Sequence, residues 1–137
     1  MADLSVVAAD VLSVSGRTAV RGTAGATITA GQLVYLNSTS GKYVLAQGDD
    51  AATDEVVGIA AHGASNGQPV EVITGGVVDL GVTLTVGEIY VLSAAAAGGI
   101  APKGDLSAGE YVSIVGVGQT ADNLLLGIVN SGVAVPA

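Results

Sequence analysis

The sequence has no cysteine, no phenylalanine and no tryptophan, and only one histidine, one methionine and four tyrosines in 137 residues. Without cysteine there is no disulfide and no thiolate metal site. A single histidine, His62, rules out a multi-histidine metal site within one chain. With so few aromatic rings there is no stacking surface for a sugar, so paired carboxylates of the glycosidase kind have no groove to work in. Only four bases, Arg17, Arg21, Lys42 and Lys103, stand against twelve acids, for a net charge of −8. That balance argues against nucleic acid as a partner, because phosphate is met by Lys and Arg. It argues equally against an anionic membrane surface. Gly or Asp breaks every apolar run well short of the ~20 residues of a membrane span. Asp3 stands where a secretion signal needs bases, so synthesis in the cytosol is expected.

What remains is aliphatic and rich in glycine. Half of the residues are hydrophobic and 21 are Gly. The interior must therefore be built from Val, Ile, Leu and Ala. β-Branched Val and Ile favour pleated strands, and Gly supplies the tight corners between them. Strand-like segments recur at 32–37, 42–46, 56–61, 69–74, 77–80, 88–93, 111–117 and 124–130, with turn residues between them. Residues 94–99, Ala-Ala-Ala-Ala-Gly-Gly, are too short and too uniform for a helix and read as a loop. The expectation is an all-β protein with a single β domain at 25–137, a compact β-barrel or β-sandwich.

The chain also repeats itself, over about 28–80 and 84–136. Ile28-Thr29-Ala30-Gly31-Gln32-Leu33-Val34-Tyr35-Leu36 matches Leu84-Thr85-Val86-Gly87-Glu88-Ile89-Tyr90-Val91-Leu92, 56 positions on. Gly48-Asp49 matches Gly104-Asp105 at the same offset. Val56-Val57-Gly58-Ile59-Ala60 matches Ile114-Val115-Gly116-Val117-Gly118 with a slip of two, and Thr74-Gly75-Gly76-Val77 matches Asn130-Ser131-Gly132-Val133 back at 56. Two copies are too few for a solenoid or propeller and point to one barrel or sandwich with pseudo-two-fold symmetry. A recurrence of ordinary hairpin turn chemistry is the competing reading.

Residues 1–24 stand outside the repeat and read as an extended N-terminal arm, or else as an ordinary first strand. The arm is apolar at Val6, Val7, Val11 and Leu12 and carries half of the positive charge on Arg17 and Arg21. An arm that orders against a neighbour buries apolar area there, which makes these six residues the candidate contacts.

No catalytic, cofactor-binding or metal-binding set emerges, and an enzyme is not expected. His62 lies in His62-Gly63-Ala64-Ser65 and reads as a loop residue with one local hydrogen bond. Ser65, three residues away on the same loop, is not a nucleophile on a strained elbow. The glycines at 63 and 67 lack the Lys-Ser/Thr and the helix of a phosphate loop. Asp49, Asp50, Asp54 and Glu55 offer the hard oxygens that Ca²⁺ takes, but not the alternating spacing of an EF-hand, so a solvated acidic hairpin tip is expected.

Three stretches carry a resemblance. They are Val57-Gly58-Ile59-Ala60-Ala61-His62-Gly63-Ala64-Ser65-Asn66-Gly67-Gln68-Pro69-Val70-Glu71-Val72-Ile73-Thr74-Gly75-Gly76, Tyr90-Val91-Leu92-Ser93 leading to Gly98-Gly99-Ile100-Ala101-Pro102, and Asn130-Ser131-Gly132-Val133-Ala134-Val135-Pro136. Over about 25–137 the chain resembles the capsid decoration, or cement, proteins of tailed bacteriophages. The resemblance implies a compact β domain on the capsid exterior, a homo-oligomer (trimer ahead of dimer), and the major capsid protein as partner. It also implies that an N-terminal arm staples neighbouring capsid subunits. The alternatives are another virion part, such as a head-fibre base, tail-tube or spike domain, and a carbohydrate- or ion-binding β module.

Overall fold

The computed structural model describes residues 4, 6, 11–49 and 53–136, leaving aside the side chains of 12–14. Among the described residues nine strands follow in chain order: β1 Leu12–Thr23, β2 Leu33–Leu36, β3 Tyr43–Leu45, β4 Gly58–Ala60, β5 Pro69–Asp79, β6 Ile89–Leu92, β7 Ile100–Pro102, β8 Tyr111–Gly118 and β9 Asn123–Ala134. A single turn of 3-10 helix, Lys103–Asp105, is the only helical element among the described residues. The strands form one antiparallel sheet, in the order β3-β2-β4-β5-β9-β8-β6-β7, with β1 added along β5. The sheet curls into a half-barrel, so the protein is all-β and compact.

The strand order reads as two equivalent blocks placed end to end, β3-β2-β4-β5 and its reverse β9-β8-β6-β7. The ladders agree residue by residue. Leu33 pairs with Ile59 and Val34 with Gly58; in the second block Ile89 pairs with Val117 and Tyr90 with Gly116. Gly31 N–H donates to Ala60 O at 2.9 Å, and Gly87 N–H donates to Gly118 O at 2.8 Å. Both glycines have positive φ, +88° and +81°, one position before a residue whose N–H bonds back to a threonine carbonyl. That is the type II turn geometry, in which the third residue must tolerate the left-handed region. The matches over 28–36/84–92 and 56–60/114–118 thus reflect a shared fold.

The last sequence match does not hold. Ile73 stands opposite Ile59, and Leu125 opposite Val117, so Thr74-Gly75-Gly76-Val77 falls against Leu126-Gly127-Ile128-Val129, and not against residues 130–133. Ala60 pairs with Val72 but Gly118 pairs with Leu124, so the second hairpin is six residues shorter (72 − 60 against 124 − 118). Both segments lie within strands, and what they share is a positive-φ glycine, Gly76 at +103° and Gly132 at +67°. Residues 69–74 and 77–80, expected as separate strands, are one strand. β5 runs through Gly75 and Gly76, and its ladder with β1 shifts register opposite them.

The larger core cluster draws equally on both blocks. Leu33, Ala46, Val56, Ile59, Ile73, Val78 and Leu80 come from the first, and Leu84, Tyr90, Leu92, Ile100, Val115, Leu124 and Leu126 from the second. A smaller cluster, including Ile28, Val34, Tyr43, Val70 and Val72, lies wholly in the first block, on the opposite face of its strands. Its cover comes from the residues before β2 and from the long β4–β5 hairpin, where Ile28 and Ala64 exchange backbone hydrogen bonds at 2.8 and 2.9 Å.

Residues 12–23 differ from the expected arm. They form a strand paired with β5 from Leu12↔Asp79 to Thr23↔Pro69. Side chains 15 to 20 are exposed on both faces. Further back, Leu4 N–H donates to Ile100 O at 2.8 Å.

Candidate attachment surface

The six candidate contact residues fall into different settings. Val6 and Val11 are half-buried and pack against the larger core cluster. Their methyls crowd the Gly31 turn so closely that a Cβ there would lie 2.7 and 2.9 Å from them. In this arrangement they serve the chain's own fold. Val7 lies outside the described residues. Leu12 opens β1 and pairs with Asp79 through its backbone.

Arg17 and Arg21 project from β1 to the same acid on the neighbouring strand. Arg17 forms an ion pair with Glu71, and Arg21 donates from Nε to Glu71 Oε2 at 3.2 Å. Arg21 keeps its side chain 85 % exposed, so that pair is a weak tie and leaves most of the guanidinium available. His62 joins the same neighbourhood. Its Nε2 accepts the Glu71 backbone N–H at 3.2 Å, which places the proton on Nδ1, facing Gly63 O at 2.9 Å. Both ring nitrogens are thereby engaged with backbone. Arg21, His62, Pro69, Val70 and Glu71 line one shallow depression. Half of the chain's Lys and Arg, with its only His, lie together on this part of the surface.

The acidic cluster does not stay together. Asp49 and Glu55 are exposed, Asp50 lies outside the described residues, and Asp54 is 2 % exposed. The expectation of a solvated tip therefore fails at Asp54. The cause is a long-range clamp. Asp54 O accepts the buried Ser113 hydroxyl at 2.5 Å. Two residues on, the Asn130 amide binds both Val56 N–H (2.8 Å) and Val56 O (2.9 Å), as a strand partner would. Segment 54–56 is thereby plugged into β8 and β9. Among the described residues no three His, Asp or Glu converge as a metal site.

The sequence reading missed an exposed apolar row. Ile89, Val117, Leu125 and Val77 are successive ladder partners across β6, β8, β9 and β5. Val117 is 38 % and Leu125 43 % exposed, and Ile89 and Val77 are half-buried. At neighbouring strands about 4.8 Å apart, the row spans about 14 Å. Its counterpart in the first block is Leu33, Ile59 and Ile73, which is buried to 3 % exposure or less. The repeat pointed to these positions as strand residues but not to their exposure, because Leu33 joins the larger cluster while its counterpart Ile89 does not. No protein-family model matches the chain, and a search of curated proteins finds no match either.

Proposed function

We propose that this chain is a structural virion protein that binds the outer surface of a tailed-phage capsid and stabilises the expanded shell. The capsid part of the reading rests on the sequence resemblance over about 25–137. The observation that supports attachment is β1. It is a 12-residue strand paired with β5, exposed on both faces at 15–20, on the most basic part of an acidic molecule. An exposed strand is a ready template for an extended segment of another protein, and charge at its rim helps to fix register. Of the six candidates, Arg17 and Arg21 are the ones exposed on this strand, Val6 and Val11 being spent on the chain's own core, and Val20, 40 % exposed between them, is added to the set.

The stabilising mechanism is linkage. A ligand that binds the expanded shell and not its precursor or dissociated subunits favours the expanded state by about 2.7 kcal/mol per site at a hundredfold excess over Kd. Repetition over a lattice multiplies a small term per site. The test mixes purified protein with expanded and unexpanded capsids and measures cosedimentation and capsid melting. Binding to expanded capsids with a raised melting temperature is expected. Equal binding to both forms, or binding to tails alone, would sink the reading.

A further inference from the structure

We infer that the row Ile89–Val117–Leu125–Val77 is the contact surface for a second copy of this chain, packed face to face about a two-fold axis. The inference stands apart from the capsid reading, since the pair forms with no capsid present.

The repeat carries the argument. In the first block the equivalent row, Leu33–Ile59–Ile73, is fully covered, and the larger core cluster that covers it includes Tyr90, Leu92, Leu124 and Leu126 of the second block. A sheet face of this same chain is thus the cover that such a row takes within the molecule. The second block's row has the same pairing and the same residue types, but its centre is open, with Val117 38 % and Leu125 43 % exposed. The turn beside it repeats the contrast. Gly31 is crowded by Val6 and Val11, whereas a Cβ at Gly87 would meet nothing within 4 Å, and its neighbour Val86 is 66 % exposed. Among the described residues, five of the seven exposed large hydrophobics (Val86, Val117, Leu125, Val129 and Val133) lie in the second block.

Charge favours a like partner over a foreign one. A chain of net charge −8 repels its own copies wherever acids meet. Neither Tyr111–Gly118 nor Asn123–Ala134 contains an Asp, Glu, Lys or Arg. A contact centre without acids is what a self-contact in such a chain requires, with Asp79 of β5 only at the edge of the row on the Val77 side, and a centre without charge offers nothing to select a charged partner. A single patch that packs on itself closes at two copies, whereas a ring of three needs two different complementary patches. The geometry here therefore favours two over the three that the resemblance implies.

The test is the mass of the full chain in solution, by sedimentation equilibrium across a concentration series. The expected result is a monomer–dimer equilibrium that tightens with added salt, because screening removes like-charge repulsion and leaves the apolar contact. Leu125→Asp and Val117→Asp should each weaken the dimer by more than about tenfold, since each buries a charge opposite an apolar face. Leu36→Asp, at a 47 % exposed site on β2, should leave the mass unchanged. Circular dichroism checks that all three variants keep their strands. A single-chain mass at the highest soluble concentration, a three-chain mass, or a dimer untouched by both row variants would overturn the proposal. So would a monomer whose Leu125→Asp variant loses capsid attachment, which would assign the row to the capsid.

Discussion

Gly58 and Gly116 occupy the same point in the two blocks, and the reason is a single distance. A Cβ at Gly58 would lie 2.1 Å from Ile73 O, and one at Gly116 would lie 2.2 Å from Leu125 O. In each case the neighbour is backbone of the next strand, which cannot swing aside. Gly58→Ala and Gly116→Ala should each cost about 1–3 kcal/mol, as other overpacked sites do. Gly104 has open space around it and no positive φ, so Gly104→Ala should stay within about 0.5 kcal/mol of the parent. Urea melts of the three variants make the comparison. These glycines were legible in the sequence because the repeat marked them. The Ser113–Asp54 contact was not, since it joins residues 59 positions apart through one hydroxyl and one carbonyl. Ser113→Ala leaves that buried carbonyl with one donor fewer and should cost about 1–3 kcal/mol in the same assay.

At the level of the element, β1 shows how a strand can hide. Strand signals depend on alternation between a buried and a solvated face. Ser15, Gly16, Arg17, Thr18, Ala19 and Val20 are all exposed, so no alternation is written into them. The same segment read equally as an arm or as a first strand. β9 blurs in the same way beyond Ile128, where side chains up to Val133 are exposed and the strand runs past its expected end. Because β1 buries little apolar area through these side chains, backbone pairing along β5 is its main hold. The Glu71 ion pairs add little, and Glu71→Gln should lower stability by less than about 1 kcal/mol. Removing residues 1–24 should leave the rest folded but bare one side of the 11-residue β5. A long unpaired strand edge invites intermolecular pairing. The truncated chain should therefore scatter light at concentrations where the full chain stays clear. Loss of the folded circular dichroism spectrum would instead make β1 essential to the core.

For the whole molecule, the two blocks are alike in topology and unlike in what they own. The larger cluster takes seven described residues from each block, but the smaller cluster belongs to the first alone. The difference follows from the shorter β8–β9 hairpin and from where each inner face points. Leu84, the counterpart of Ile28, is buried between the blocks, whereas Ile28 sits in the smaller cluster that the first block keeps to itself. The equivalence of the two blocks was legible from matched turns and strands, but the order of the strands in the sheet was not. The facing was not, because equal sequences can turn opposite sides to the core once β5 shifts register between Ile73 and Val78, which both point inward five positions apart. This asymmetry predicts unequal fates for the separated blocks. Residues 82–137 alone have no core that does not borrow from the first block, and should be unfolded by circular dichroism. Residues 1–81 keep the smaller cluster, so they should hold strand structure with loosened packing and bind a hydrophobic dye. Mixing the two should restore the native spectrum, because the apolar area shared between them is the largest single term driving either to fold. A second block that folds cooperatively by itself would mean that its exposed row and its inner face close on each other. The two-block packing would then not be what holds the molecule together.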